Sequence, residues 1–313
     1  MTRPLAARCL PLVAVLGCSR APAGPPGIHV EEIQHKGARW TVATVDLTQA
    51  DLRLVGQGEG VPEPHTLENV TRWLGTEGVV PVVAMNAGIY MEDRRPLGLH
   101  VEDGKAYRGV NNADGYGNFY LKPNGIFSLG PAGAAITPTT DWRARPVTEL
   151  VLATQSGPML ANKGVLHPKL QENSPNLKRR NGVGVRSATV VVLASSEDRV
   201  RFHDMATLFV ERLKCPDALY LDGTVSALRT PLHPDAEGDP AGYSGVLVAT
   251  PKPPRPPRTP PSTPAAKPTE VKPAEDKPAE DKPTEAQPAE AKPAEAKPDE
   301  ATPAEATAAP PEP

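Results

Sequence analysis

HDMATLFVERLKCPDALYLDGTVSAL, residues 203–228, sets a helix pattern, a buried-strand pattern and an acidic turn one directly after another. Met205, Leu208, Phe209, Arg212 and Leu213 recur at three- and four-residue spacing, which predicts an amphipathic helix over 204–213, with Asp204 placed to accept from the free amides of its first turn. Pro216 cannot continue a helix, and Ala218, Leu219, Tyr220 and Leu221 then form an apolar run of the length of a central strand. That strand ends at Asp222. Gly223 lets the backbone turn sharply there, and Thr224 and Ser226 follow, so a carboxylate and two hydroxyls share one strand mouth, a cluster suited to binding or acid/base work. The plainer alternative is that Asp222 only caps its turn, the usual role of a strand-end Asp-Gly pair.

Working outward, residues 28–250 read mostly with the period of strands. Runs at 39–47, 79–85, 98–101, 119–121, 126–129, 151–154, 182–186, 188–194, 199–203 and 243–249 alternate or are continuously apolar, and a second helix is expected over 65–74, starting near Thr66. The expected fold class is therefore α+β: a single domain with a large mixed β-sheet and a few helices covering one side. Asn124-Gly125, lying between two such runs, predicts a tight hairpin.

The two ends differ from this core. Residues 1–17 carry Arg3 and Arg8 and no acid before a short apolar run, the layout of a secretory signal peptide. The run is too short to span a bilayer. Val15-Leu16-Gly17-Cys18 resembles a bacterial lipobox, which implies cleavage before Cys18, acylation of its sulfur and, with Ser19 following, anchorage to the outer membrane; the alternative is a periplasmic or secreted protein cut nearby. Residues 18–27 then read as a tether. Residues 251–313 are a Pro-, Ala-, Lys- and Glu-rich tail in which Val271 is the one large apolar residue, too little to offset the entropy of ordering, so extended disorder is expected. Of three cysteines, Cys215 would remain after removal of Cys9 and acylation of Cys18, and no intramolecular disulfide is expected. No Cys or His pair has zinc-ligand spacing, and a net charge of −3 gives no argument for nucleic acid. Neither a dinucleotide fingerprint nor a phosphate loop is present, so no cofactor is expected; a divalent cation near Asp222 stays open.

The punctuation between strands carries the chemistry. Asn86 and Gly88 follow a buried run, Gln155, Ser156 and Gly157 precede Pro158, and Lys178, Arg179, Arg180 and Asn181 put cationic donors at the entry to an apolar strand, suited to an anion such as phosphate. A solvated basic loop is the alternative for the last of these. Taken in order, NAGIY at 86–90, PLGL at 96–99, NFYLKPNGIF at 118–127, TQSGPML at 154–160, His167-Pro168, RNGVGV at 180–185 and LYLDGTVSAL at 219–228 resemble the phosphodiester glycosidase family over about residues 30–250.

That resemblance implies hydrolysis of a sugar 1-phosphodiester, of the N-acetylglucosamine-1-phosphodiester type, by an exported protein whose partner is a glycan phosphodiester. It places the catalytic carboxylate at Asp222, acting at the anomeric carbon either as base toward water or as nucleophile and stabiliser of the oxocarbenium-like transition state, with Gly223 beside it. Arg180 would hold the phosphate, and Asn86, Gly88, Asn124, Gln155, Ser156, Gly157, Asn181 and Ser226 would contribute to substrate binding. Glu92 and Asp93 are candidates for a second carboxylate, though an exposed loop charge is the plainer reading. Thr224 and Val225 stand where the family's eukaryotic branch has glycines, which narrows the expected pocket. Two readings compete with the enzyme: a non-catalytic carbohydrate-binding lipoprotein on the same fold, and an envelope scaffold whose tail is the active part.

Overall fold

A computed structural model describes residues 24–143 and 146–253. The signal-peptide stretch, Cys18 and the tail beyond 253 lie outside the described residues. In chain order the N-terminal elements are β1 (Ile28–His35), β2 (Ala38–Asp46), β3 (Ala50–Val55), α1 (Leu67–Thr76) and β4 (Val83–Asn86). There follow β5 (His100–Glu102), β6 (Lys105–Arg108), β7 (Gly125–Gly130), β8 (Gly133–Pro138), β9 (Leu152–Ser156), β10 (Met159–Asn162) and β11 (Val165–Leu166). The last are β12 (Asn181–Ser187), β13 (Val190–Ser196), α2 (Phe202–Thr207), β14 (Asp217–Asp222), β15 (Leu228–Arg229) and β16 (Val246–Pro251).

The α+β, mostly sheet class holds, with the strands divided among three sheets. One runs β1-β2-β13-β12-β14-β10-β11, a second β15-β4-β16-β3 and a third β6-β5-β9-β7-β8. Every strand ladder among the described residues is antiparallel. A shared core of Val45, Leu52, Met85, Phe127, Leu219 and Leu247 takes side chains from all three sheets. On the other face of the seven-stranded sheet, Trp40, Val192, Met205, Phe209 and Tyr220 pack together, so β14 is buried on both sides. That is why its sequence is continuously apolar rather than alternating.

α1 covers the four-stranded sheet with Leu67, Val70 and Leu74 against Ala84, Val246 and Val248. Its first turn is satisfied by side chains: Thr66 Oγ1 accepts from the Asn69 amide at 3.1 Å, and the Glu237 carboxylate accepts from the amides of Leu67 and Glu68 at 3.3 and 2.5 Å. Thr66→Ala is expected to lower the unfolding free energy in urea by about 1 kcal/mol, the ordinary worth of an N-cap, with Glu237 still holding the other two amides.

Four local expectations are corrected. The helix expected over 204–213 begins at Phe202 and stays α-helical only to Thr207. Residues Leu208–Arg212 form a π turn, closed by the Leu213 amide donating to Leu208 O at 2.9 Å. The wider turn swings Leu213 toward the buried face and leaves Arg212 exposed. Asp204 sits in the third helical position, where its carboxylate accepts from the Arg201 amide at 3.2 Å. This bond starts the helix where a strand over 199–203 is expected, and only Val200 there makes a bridge, to Lys178. Residues 119–121, read as strand, instead carry the end of a 3₁₀ turn over Asn118–Tyr120, with Leu121 as its cap. Asn124-Gly125 makes no hairpin: the buried Asn124 amide donates to Phe119 O at 2.8 Å, and Gly125 opens β7.

Candidate active site

The three sheets converge on Asp222, the last residue of β14. Asn86 ends β4 of the four-stranded sheet, and its Nδ2 donates to Asp222 Oδ2 at 2.6 Å. Asn181 opens β12 and stands opposite Asp222 in the ladder; its Nδ2 donates to Asn86 Oδ1 at 2.7 Å and to Asn86 O at 2.9 Å. The Ala227 amide also donates to Asn86 Oδ1, at 2.9 Å. With two donors on its oxygen, Asn86 has one orientation left, and its NH₂ must face the carboxylate. Ser156 closes β9 of the five-stranded sheet and donates from Oγ to Leu221 O at 3.3 Å, while Ser226 Oγ donates to Asp222 O at 3.0 Å. The Gly223 amide donates to Asp222 Oδ1 at 2.6 Å. Each carboxylate oxygen thus receives one protein hydrogen bond and keeps acceptor capacity for water or ligand.

Burial pushes the Asp222 pKa up to about 6, against the opposing pull of the Gly223 and Asn86 hydrogen bonds. The nearby charge of Asp239 raises it further and that of Arg94 lowers it. Arg94 and Asp239 are paired at 2.5 Å, and Tyr90 shares the pair, its hydroxyl donating to Asp239 at 3.2 Å. Asp222 therefore gains its charge within the range where enzymes use acids and bases.

Arg180 is the second unusual group. It is 1% exposed, yet among the described residues it makes no ion pair with a carboxylate. Its guanidinium lies over the Phe202 ring, 3.6 Å from the centroid, and donates to Val200 O at 3.1 Å and to Asn176 O at 3.2 Å. Tyr220 hydrogen-bonds Arg180 and Asn118, and burial raises its phenol pKa above the ordinary value. Rings and carbonyls solvate this cation without neutralising it.

Arg180, Tyr220 and Asp222 line one cleft of about 420 Å³, with Asn118, Lys178 and Val225 also in its wall. Asp222 is the one carboxylate lining it. A larger groove, about 590 Å³, is bordered by Arg53, Asp103, Asp51 and Lys252, and these charges pair with each other. The other predicted site residues support the cleft from behind. Gln155 accepts at Oε1 from the amides of Leu99 and Asn111 and donates from Nε2 to Asn111 O, and Asn124 is held by Phe119. Gly88 adopts φ +80°, and a Cβ there would fall 2.6 Å from Thr154 Oγ1. Gly157 makes the turn between β9 and β10. Asp93 is exposed and turned to Arg95 at 2.6 Å, and neither it nor Glu92 lines the cleft. Among the described residues no group of three or more His, Cys, Asp or Glu side chains is placed to hold a metal ion. Cys215 is buried and its thiol pKa is pushed up to about 12, which makes it unreactive.

Tyr220, Asn118, Asn176 and Tyr116 are among the cleft residues to which motif reasoning gives no role. A signal was present for the first: Tyr220 stands two residues before Asp222, so the two share a face of the strand.

A strand-end acid and a buried guanidinium without a carboxylate partner among the described residues thus share one cleft. Residues 80–233 match the phosphodiester glycosidase family model, which places this stretch in that family. Over 161 residues the chain is 36% identical to the uncharacterized protein YigE of Escherichia coli (strain K12). The match spans 51% of this chain and 62% of that relative, less than two thirds of its length. Among solved structures, the zebrafish N-acetylglucosamine-1-phosphodiester alpha-N-acetylglucosaminidase catalytic domain, auto-inhibited by its pro-peptide, is similar at TM-score 0.48 and 17% identity, with 74% of this chain and 84% of that one covered. A hypothetical protein from Synechocystis is similar at TM-score 0.46 and 12% identity, covering 73% and 62%.

Proposed function

We propose that the protein hydrolyses a sugar 1-phosphodiester of the N-acetylglucosamine-1-phosphodiester type at a bacterial envelope. Supporting this most directly is the placement of Asp222 and the unpaired Arg180 in one cleft. Water attacks the anomeric carbon, the bond from that carbon to the phosphate oxygen breaks, and its electron pair leaves on the phosphomonoester. Asp222, ionised above about pH 6, accepts the proton of the attacking water. Asn86 holds the carboxylate in place, and Asn181 and the Ala227 amide hold Asn86. Arg180 faces the phosphate, where negative charge accumulates as the bond breaks. A phosphomonoester is a good leaving group, so one carboxylate suffices where ordinary glycosidases use two. The family match over 80–233 supports the same chemistry. The test is release of free sugar and phosphomonoester from a panel of sugar 1-phosphodiesters, with and without EDTA. Turnover is the expected result, and binding without turnover would instead select a carbohydrate-binding protein.

Cys18, in our reading, carries the lipid that anchors the protein to the outer membrane. Cys18→Ser in the full chain is expected to abolish labelling by radioactive palmitate and move the protein to the soluble fraction; retained labelling would overturn it.

A further inference from the structure

Tyr220 stands between the two groups that the proposed reaction uses. It is 2% exposed, and its ring packs edge-on against Phe202 with centroids 4.7 Å apart, on the side where the Arg180 guanidinium carbon lies 5.7 Å from the Tyr220 ring centre. Its hydroxyl reaches the turn that follows Asp222, where a Cβ on Gly223 would fall 2.6 Å from the hydroxyl oxygen. Gly223 is not among the glycines with positive φ, so the nearness of this hydroxyl, rather than a left-handed backbone, is what calls for glycine there. One phenol oxygen therefore borders both Arg180 and the Asp222 turn, in the wall of the cleft that they share.

The hydrogen bonds on that oxygen decide where its proton points. A guanidinium can only donate, and the Asn118 bond, like that of Arg180, lowers the phenol pKa, so the Asn118 amide donates to the same oxygen. With both lone pairs taken, the O–H is the position left for a ligand. Burial first, and then the Asp222 charge, outweigh those two bonds and hold the phenol above its ordinary pKa, so the proton is retained. On the function proposed above, the anomeric carbon sits at Asp222 and the phosphate at Arg180, and the atom that joins them is the bridging oxygen. We propose that Tyr220 is a further catalytic residue, donating a hydrogen bond to that bridging oxygen as the bond from carbon breaks and its electron pair passes to the oxygen. The proton stays on Tyr220, and what the bond supplies is stabilisation of the charge arriving there. The inference rests on the proposed hydrolysis and adds the group that serves its leaving side.

Tyr220→Phe removes the hydroxyl and keeps the ring against Phe202. On the methyl diester of a sugar 1-phosphate, kcat and kcat/KM are expected to fall together by about 10²-fold, the worth of one donor to developing charge, with KM little changed. The leaving group supplies a readout that a structural role would not move. A nitrophenyl diester of the same glycosyl phosphate releases a less basic phosphomonoester, whose oxygen needs the donor less, so Tyr220→Phe should lose clearly less on it than on the methyl diester. Asn118→Ala leaves the hydroxyl in place but free to turn, and is expected to lose less than Tyr220→Phe, with the same dependence on the leaving group. Equal losses on the two diesters, or a loss confined to KM, would overturn the catalytic role and leave Tyr220 as a support for Arg180. Failure of the wild type to hydrolyse either diester would instead overturn the functional reading itself, and this inference with it, before any variant is compared.

Discussion

The Asp222→Asn variant is expected to lose turnover by about 10²–10⁴-fold, the contribution of a positioned base, while gaining stability relative to wild type as the pH rises. Both effects follow from one feature, a carboxylate whose burial lifts its pKa from 3.8 to about 6. The folded protein holds the Asp222 proton more tightly than the unfolded chain does. This contribution to stability is therefore fully present below pH 4 and is lost as the pH rises through 6. Over that window the loss reaches about 3 kcal/mol as an upper bound, at about 1.4 kcal/mol for each pH unit between the two values. Asparagine carries no such dependence. In urea unfolding at pH 4 and pH 8, the difference between variant and wild type should shift by that amount in the variant's favour, whatever constant cost comes from the amide facing Gly223 and Asn86. The kcat/KM of the wild type should fall on the acid side with a midpoint near 6. A variant that keeps turnover, or a stability difference flat with pH, would remove Asp222 from the role given to it.

Legibility in the sequence followed burial. β14 was readable because both its faces are covered, one by the shared core and the other by α2 and the π turn, so apolar residues run unbroken to the acid. β1 was not: it is an edge strand paired only with β2, and Ile28 and Ile33 are its only buried residues. Its Glu31, Glu32 and Gln34 give it the composition of a surface loop. The turn at Asn118–Tyr120 was missed because Phe119 and Tyr120 look like strand residues, whereas what fixes them is a carbonyl offered to the Asn124 side-chain amide five residues on. The π turn likewise depends on how Leu213 meets a sheet, which local spacing does not report.

The site divides in the same way. Asp222 and Arg180 were legible because an acid directly after a buried run and a cation directly before one are chemically conspicuous. Asn124 and Gln155 were equally conspicuous as polar residues near turns, but residue type shows only that a hydrogen bond must be made, and theirs go to the backbone of the cleft's own wall. Ordered motifs brought out the stretches that form the cleft and its walls. They could not separate the side chains that face the cleft from those that hold its walls.

Arg180→Met gives the second large expected effect: a fall of about 10²–10³-fold in kcat/KM on an anionic diester, the loss typical when one donor to developing charge is removed. Stability is expected to change by less than about 2 kcal/mol, because two opposing contributions meet. The guanidinium's hydrogen bonds to Val200 O and Asn176 O disappear, worth about 1.5–3 kcal/mol for a charged donor. Against that, a buried cation with no carboxylate partner is removed, which relieves a desolvation penalty of comparable size. A methionine of similar length keeps contact with the Phe202 ring through its thioether. Arg180→Lys retains the charge but not the planar fork that stacks on the ring and bonds both carbonyls, so activity should fall with it as well, though less than with Met. Inorganic phosphate supplies a readout independent of turnover: it should inhibit the wild type competitively and lose at least tenfold in apparent affinity for Arg180→Met. A structural arginine would behave in the opposite manner, with a large loss of stability and no change in phosphate inhibition. Asp222 and Arg180 are alike in that neither makes an ion pair among the described residues, and the proposed substrate would bring a phosphate to Arg180 and the carbon under attack to Asp222.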